Sequence, residues 1–302
     1  MIIDAHHHLW DPSRRAYPWL VNPAMAPINR AYTLDDFRRA ISDQVPGAPP
    51  HDDPPWIRIR LVPAPAAIRT ILVQTVSDRT ETVEFLATAA ASDGLVAGVI
   101  GWVDLTAADV ADQLAELRAA PGGDLLVGVR HQTQDEPDPQ WLARPEVRRG
   151  LRAVGDAGLV FDLLVLEHQL APAREVVEAL PEVTFVLDHL AKPPIGTGAW
   201  QPWAERVTRL AAMPNVSAKL SGLVTEDRWD DWETEHLIPY TTLAFDAFGA
   251  ERIMFGSDWP VCTLAASYPE ALALAEHCSA QLSPAERREF FSGTARRVYG
   301  LG

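Results

Sequence analysis

Short apolar runs recur along the chain at intervals of roughly thirty residues, the length of one strand–helix unit, and most are followed by apolar residues at helical spacing. These runs predict strands at Ile2 to His8, Arg69 to Gln74, Val96 to Val103, Leu125 to Arg130, Leu159 to Val165, Thr184 to His189, Asn215 to Leu220 and Arg252 to Ser257. Helices are predicted between them, among others at Thr80 to Ala91, Thr106 to Ala119, Pro172 to Leu180 and Ala204 to Met213. Such alternation implies a parallel sheet. Eight units close into an α/β structure of the (β/α)8 TIM-barrel type, whereas an open doubly wound sheet would carry an early glycine-rich turn that this chain lacks.

Two stretches stand outside the rhythm. Residues 11–68 form a long insert after the first strand, rich in proline (Pro46, Pro49, Pro50, Pro54, Pro55) and with one expected helix, Leu34 to Ile41, capped by Thr33. It leaves the strand end where barrel active sites sit, so it is either a lid over the mouth or a surface excursion. It is not a second domain, and residues 1–302 read as one. Near the C-terminus, Ser283-Pro284-Ala285-Glu286 unites an N-cap, a first-turn proline and a capping-box glutamate, predicting a helix through Tyr299 that closes the barrel.

Composition changes this picture little. The 302 residues are 47% hydrophobic and 22% charged, which excludes a disordered chain. A net charge of −15 argues against nucleic acid and anionic membrane surfaces as partners, although a few arginines in a pocket could still hold an anionic substrate. The N-terminus has neither the basic region and apolar run of a signal peptide nor a membrane span, so a cytoplasmic location is expected. Cys262 and Cys278 are expected to be free thiols.

The candidate chemistry lies at strand ends. In Asp4-Ala5-His6-His7-His8, alternate residues share a face, so His6 and His8 point together into the mouth while His7 turns away. The sixth strand ends in Leu187-Asp188-His189 and the eighth in Gly256-Ser257-Asp258-Trp259. His189 and Asp258 beside the first pair would complete either a zinc ligand set or an acid–base set for hydrolysis. Taken singly, His189 could be a hydrogen-bonded core residue and Asp258 a helix cap.

In combination the motifs Ile3-Asp4-Ala5-His6-His7-His8-Leu9-Trp10-Asp11, Leu72-Val73-Gln74, Gly128-Val129-Arg130-His131, Val186-Leu187-Asp188-His189 with Lys192-Pro193, Lys219-Leu220-Ser221-Gly222 and Phe255-Gly256-Ser257-Asp258-Trp259-Pro260 resemble the lactonase branch of the amidohydrolase superfamily over nearly the whole chain. The resemblance implies opening of a small lactone, that of a sugar acid first. His6, His8 and His189 would polarise the carbonyl, directly or through a metal, and Asp258 would activate water. It also implies that Arg130 and His131 anchor the substrate. Lys219 could meet a carboxylate or hydroxyl, Trp10 and Trp259 could form apolar walls, and Lys192 could close the loop after His189.

Binuclear members of the superfamily carry a carboxylated lysine or glutamate on the fourth strand and a histidine on the fifth. Here Arg130 and Phe161-Asp162-Leu163-Leu164 stand instead, which implies no metal or a single divalent one, zinc first, held by His6, His8, His189 and Asp258. His168, just past the fifth strand, reads as a capping or surface residue. A second reading keeps the barrel but changes the reaction, because metal-dependent decarboxylases of aromatic or unsaturated acids carry the same first-strand histidine pair.

Overall fold

The computed structural model describes residues 1–42 and 67–302. Eight parallel strands form one sheet in chain order: β1 (Ile2–His7), β2 (Ile68–Val73), β3 (Val96–Gly101), β4 (Leu126–His131), β5 (Val160–Leu163), β6 (Phe185–Leu187), β7 (Val216–Leu220) and β8 (Ile253–Phe255). Helices α1 (Leu34–Ser42), α2 (Arg79–Ala90), α3 (Val110–Ala119), α4 (Pro145–Asp156), α5 (Leu170–Ala179), α6 (Trp203–Ala211), α7 (Thr234–Phe248) and α8 (Tyr268–Cys278) follow the strands in turn. Every strand position is buried except Ile68, Arg69, Val127 and His131, because a barrel wall faces side chains inside and helices outside. This is the (β/α)8 barrel the alternation predicts.

Sequential neighbours are joined by ordinary parallel ladders, but the seam between β1 and β8 is made differently. His8 donates its backbone N–H to Trp259 (2.7 Å) and Asp258 donates its own to His6 (2.8 Å). Below them, the Asp4 carboxylate accepts from the Ser257 N–H (2.8 Å) and hydroxyl (2.6 Å). A side chain at Gly256 would bring its Cβ to 2.7 Å from the His6 Cβ, so only glycine permits this approach.

The interior packs in two bodies. Ile3, Ala5, Ile71, Val73, Val186 and Met254 fill the lower barrel, and Ala295, Tyr299 and Leu301 plug it from below. A larger cluster lies between strands and helices. The plug follows from the capping box: Ser283 and Glu286 exchange their hydrogen bonds at the start of α9 (Pro284–Arg288), and the chain continues through one π-turn into α10 (Thr294–Val298). Such a box contributes about 1 kcal/mol to fixing where the segment starts.

The described part of the insert is fastened to the mouth by aromatic contacts. Trp10 pairs with Tyr32 in an antiparallel bridge, and Trp19, Trp10, Tyr32 and Trp259 meet edge to face in that order. Helix α1 starts at Leu34 as expected, with Thr33 accepting from Asp36 N–H, and its Phe37 stacks on His7 at 4.4 Å. The prolines from Pro46 to Pro55 lie outside the described residues. Cys262 and Cys278 are buried free thiols, and among the described residues no helix is long and apolar enough to cross a membrane.

Candidate active site

The register of β1 shifts between Asp4 and His7, yet His6 and His8 still face the same side. His8 donates Nδ1–H to the Val73 carbonyl (2.7 Å), which leaves its Nε2 as a bare acceptor 3.1 Å from His6 Nε2 and 3.4 Å from an Asp258 oxygen. His6 Nε2 is 3.7 Å from the same oxygen. His7 points outward, bonding the Ile71 carbonyl (3.0 Å) and the Thr70 hydroxyl (2.7 Å).

His189 arrives by a less regular route. β6 stops at Leu187, two residues short of the expected end, and residues 189–192 all take left-handed conformations, with φ between 51° and 58°. Asp258 does the same at φ 58°. Each such non-glycine residue costs roughly 1–3 kcal/mol, and the surroundings must hold it. The Trp203 indole donates to the Leu190 carbonyl (2.8 Å), and Ser221 Oγ lies 2.9 Å from His189 Nδ1. Gly222, itself left-handed, leaves room that a Cβ would fill at 2.8 Å from both Asp258 and His189. The result is that His6, His189 and Asp258 bring one potential ligand atom each to within 4.8 Å of one another, all buried. Two imidazoles and a carboxylate at this spacing fit a zinc-type divalent ion, and His8 stands next to two of the three.

Burial sets the charge states here. It drives His189 down to about 4 and His6 well below its usual 6.5, in both cases against the pull of nearby carboxylates, so both rings are neutral at neutral pH. Burial alone would raise Asp258, but His189, His8 and His6 around it outweigh that and hold the carboxyl well below its ordinary range.

Beneath the histidines lies a buried ionic floor that the sequence did not disclose. Lys219 on β7 bonds Asp162 on β5 and lies 3.1 Å from Asp188, and the Tyr299 hydroxyl donates to Asp162 from below (2.9 Å). Arg130 on β4 donates to Asp188 (3.0 Å), to the Gln74 side chain (2.9 Å) and to the Gln74 carbonyl. Asp188 and Lys219 both reach His6 Nδ1, at 3.4 and 3.3 Å. Lys219, His6 and Arg130 together overcome the burial of Asp188 and keep its carboxyl well below normal. A lone charged residue inside an apolar strand (Asp162 in Val160-Phe161-Asp162-Leu163, Lys219 in Ser217-Ala218-Lys219-Leu220) is the signal that could have found this set, since such charges persist only when paired.

Above the floor opens a cavity of about 420 Å³, with His8, His189, Asp258 and Arg130 at its base and Trp19, Met25, Gln132, Gln134 and Lys192 among its walls. The residues expected to contact substrate are placed differently with respect to this cavity. Lys219 is fully buried in the floor and does not reach the cavity. His131 follows Arg130 in the strand and therefore faces out, stacking on Trp141 at 4.1 Å between Trp102 and Glu136. Trp10 and Trp259 lie behind the wall in the aromatic fastening, and it is Trp19, held by its indole to the Thr75 carbonyl (3.0 Å), that lines the cavity. Arg130 stays at the base, but its guanidinium is largely spent on protein acceptors. His168 is exposed.

Comparison with known proteins gives a consistent result. A family model described as Amidohydrolase matches residues 3–301. An L-fucono-1,5-lactonase of Burkholderia multivorans is 36% identical over 99% of this chain and 96% of its own length. A second L-fucono-1,5-lactonase, from Burkholderia ambifaria, is 33% identical over 99% of this chain and 95% of its own. A crystal structure of an amidohydrolase from Burkholderia multivorans with bound zinc superposes with a TM-score of 0.86 at 35% identity, covering 100% of both chains.

Proposed function

The chain belongs to the amidohydrolase family, and from that membership we propose that it hydrolyses the ring ester of a small sugar-acid lactone. The observation that carries this reading is the meeting of His6, His189 and Asp258 within 4.8 Å, with His189 and Asp258 opening onto the base of a cavity of about 420 Å³ that has room for a small lactone. The two L-fucono-1,5-lactonases support the substrate class.

Ester hydrolysis needs a base on water and a positive or hydrogen-bonding environment around the developing oxyanion. Asp258, ionised throughout the neutral range, takes the proton of the attacking water. His6, His8 and His189 surround the position of the carbonyl oxygen. As the ring C–O bond breaks, the proton passes from Asp258 to the ring oxygen, leaving a hydroxy acid that releases its own proton to solvent. Asp188 and Lys219 hold the far side of His6, so that its ring keeps one orientation through the cycle.

The same His6, His189 and Asp258, with His8 alongside, would hold one divalent ion, with zinc favoured by the zinc-bound relative. When bound, the ion supplies Lewis acidity that polarises the carbonyl and lowers the pKa of water, which suits a carboxylate held as low as Asp258. Among the described residues a second ion finds no free ligand set, because Arg130 and the Lys219-paired Asp162 occupy the fourth and fifth strands. Elemental analysis is expected to give at most one equivalent per chain.

The test is acid release. Incubated with a panel of sugar lactones in weakly buffered indicator, the protein should acidify the solution with at least one of them. A panel that stays neutral throughout, with alkalinisation on an unsaturated carboxylic acid instead, would move the reading to decarboxylation.

A further inference from the structure

The polar side chains around the cavity divide into those already engaged and those that are not. Trp19 and Arg130 spend their N–H groups on protein carbonyls and carboxylates, Asn22 caps the Ala24 N–H, and Thr75 donates to Glu81. Gln134 is different. Its Oε1 is shut off from solvent and has no hydrogen-bond partner among the described residues. Exchanging the oxygen and nitrogen of the amide leaves the argument intact, since an NH2 in the same place would be equally unpaired.

The backbone that carries Gln134 is held firmly. Its N–H donates to the Leu164 carbonyl beyond β5 (3.0 Å), and Gln169 Nε2 binds the carbonyl of the preceding Thr133 (2.8 Å). The turn closes with Glu136 N–H on that same Thr133 carbonyl (3.1 Å). An amide on a fixed turn, one end unpaired and the cavity beside it, gains a hydrogen bond by turning toward a bound hydroxyl, and the free protein loses none by the change.

We propose that Gln134 is a specificity residue that reads a ring or side-chain hydroxyl of the substrate, so that recognition expected of Arg130 and His131 falls instead on the turn immediately after them. This rests on the lactonase reading. It adds that the site selects a hydroxylated lactone over a bare one through a neutral amide and not through a cation.

The experiment compares a polyhydroxylated six-membered sugar lactone with unsubstituted δ-valerolactone, in the parent protein and in Gln134→Met, which keeps the side-chain length and removes both amide functions. The parent is measured first. The sugar lactone is one that the parent opens in the panel; a parent that opens none of the panel would remove the lactonase reading, and this inference with it, before any variant is made. With the parent active, Gln134→Met should lower the ratio of kcat/KM for the sugar lactone to that for valerolactone about tenfold, the size of one hydrogen bond to a buried polar group. An unchanged ratio overturns the proposal, whether both rates hold or both fall together. The valerolactone rate also serves as the check that the variant has folded.

Discussion

The floor and the rim of the barrel mouth are built from the same kinds of polar side chain, and they differ in pairing. On the floor, Lys219, Asp162, Asp188, Arg130 and Tyr299 lie within a few ångströms of one another, two cations against two carboxylates, with Asp188 Oδ1 facing Lys219 at 3.1 Å as an ion pair and not as a hydrogen bond. At the rim, Gln132, Gln134 and Lys192 face a cavity with few or no protein partners, Lys192 reaching only to 3.9 Å from Glu226. Depth accounts for the difference. A charge removed from water must be paired, whereas a group at the cavity wall can leave its capacity for a ligand. The floor therefore positions and the rim selects, and His6, His189 and Asp258 stand where the two meet.

Each half of that contrast can be broken separately. The largest effect is expected at the junction: Asp258→Asn keeps the shape but cannot accept a proton, and kcat should fall by about 10³ or more with substrate binding retained, as read by steady-state kinetics and ligand titration. Near-normal turnover in this variant would assign the base elsewhere. Next comes the floor itself. Lys219→Met leaves Asp162 buried with the Tyr299 hydroxyl as its partner and Asp188 with Arg130 as its cation beside His6, and should cost about 3–5 kcal/mol in urea unfolding. Adding Asp162→Leu should recover part of that loss, because an apolar replacement of the whole pair is tolerated better than half of it.

A pH profile sharpens the boundary between the regions. His189 has its pKa lowered from 6.5 to about 4 by burial, so it stays neutral as the pH falls through 6.5, and the acid limb of the rate should lie near 4. The sign for stability is the same: the folded chain binds fewer protons than the unfolded one, and stability falls as pH drops from 6.5 toward 4. A rate that declines with a midpoint at 6.5 would place His189 in contact with solvent. The smallest effect is expected at the rim, where Lys192→Met should raise KM by about threefold or less and leave stability within about 0.5 kcal/mol, since its partner is distant and partly exposed.

Much of this arrangement was legible because a strand has a strict period. The eight apolar runs all form strands, and parity correctly set His6 and His8 against His7. The same rule, applied one residue further, would have turned His131 away from the cavity, since Arg130 already takes the inward place. Other features have no local signature. Nothing in Asp188-His189-Leu190-Ala191-Lys192 announces a left-handed run, because it contains no glycine and is imposed by Ser221, Gly222 and Trp203 from elsewhere in the chain. Pairing between elements that are not sequence neighbours, such as Lys219 on β7 with Asp162 on β5 across β6, or Tyr299 after α10 with Asp162, depends on which elements meet in the assembled barrel, and no local pattern records that.

The seam between β1 and β8 also dictates when activity can begin. His6 leaves the ribosome about 250 positions ahead of Asp258, whose N–H fastens to the His6 carbonyl. At translation rates of about 5–20 residues per second this is a wait of roughly 10–50 s, during which β1 has neither its last neighbour nor the Ser257 clasp on Asp4. The nascent chain thus holds His6 and His8 without the carboxylate proposed to put them to use, and the ability to cleave an ester arrives only once Asp258 has been made.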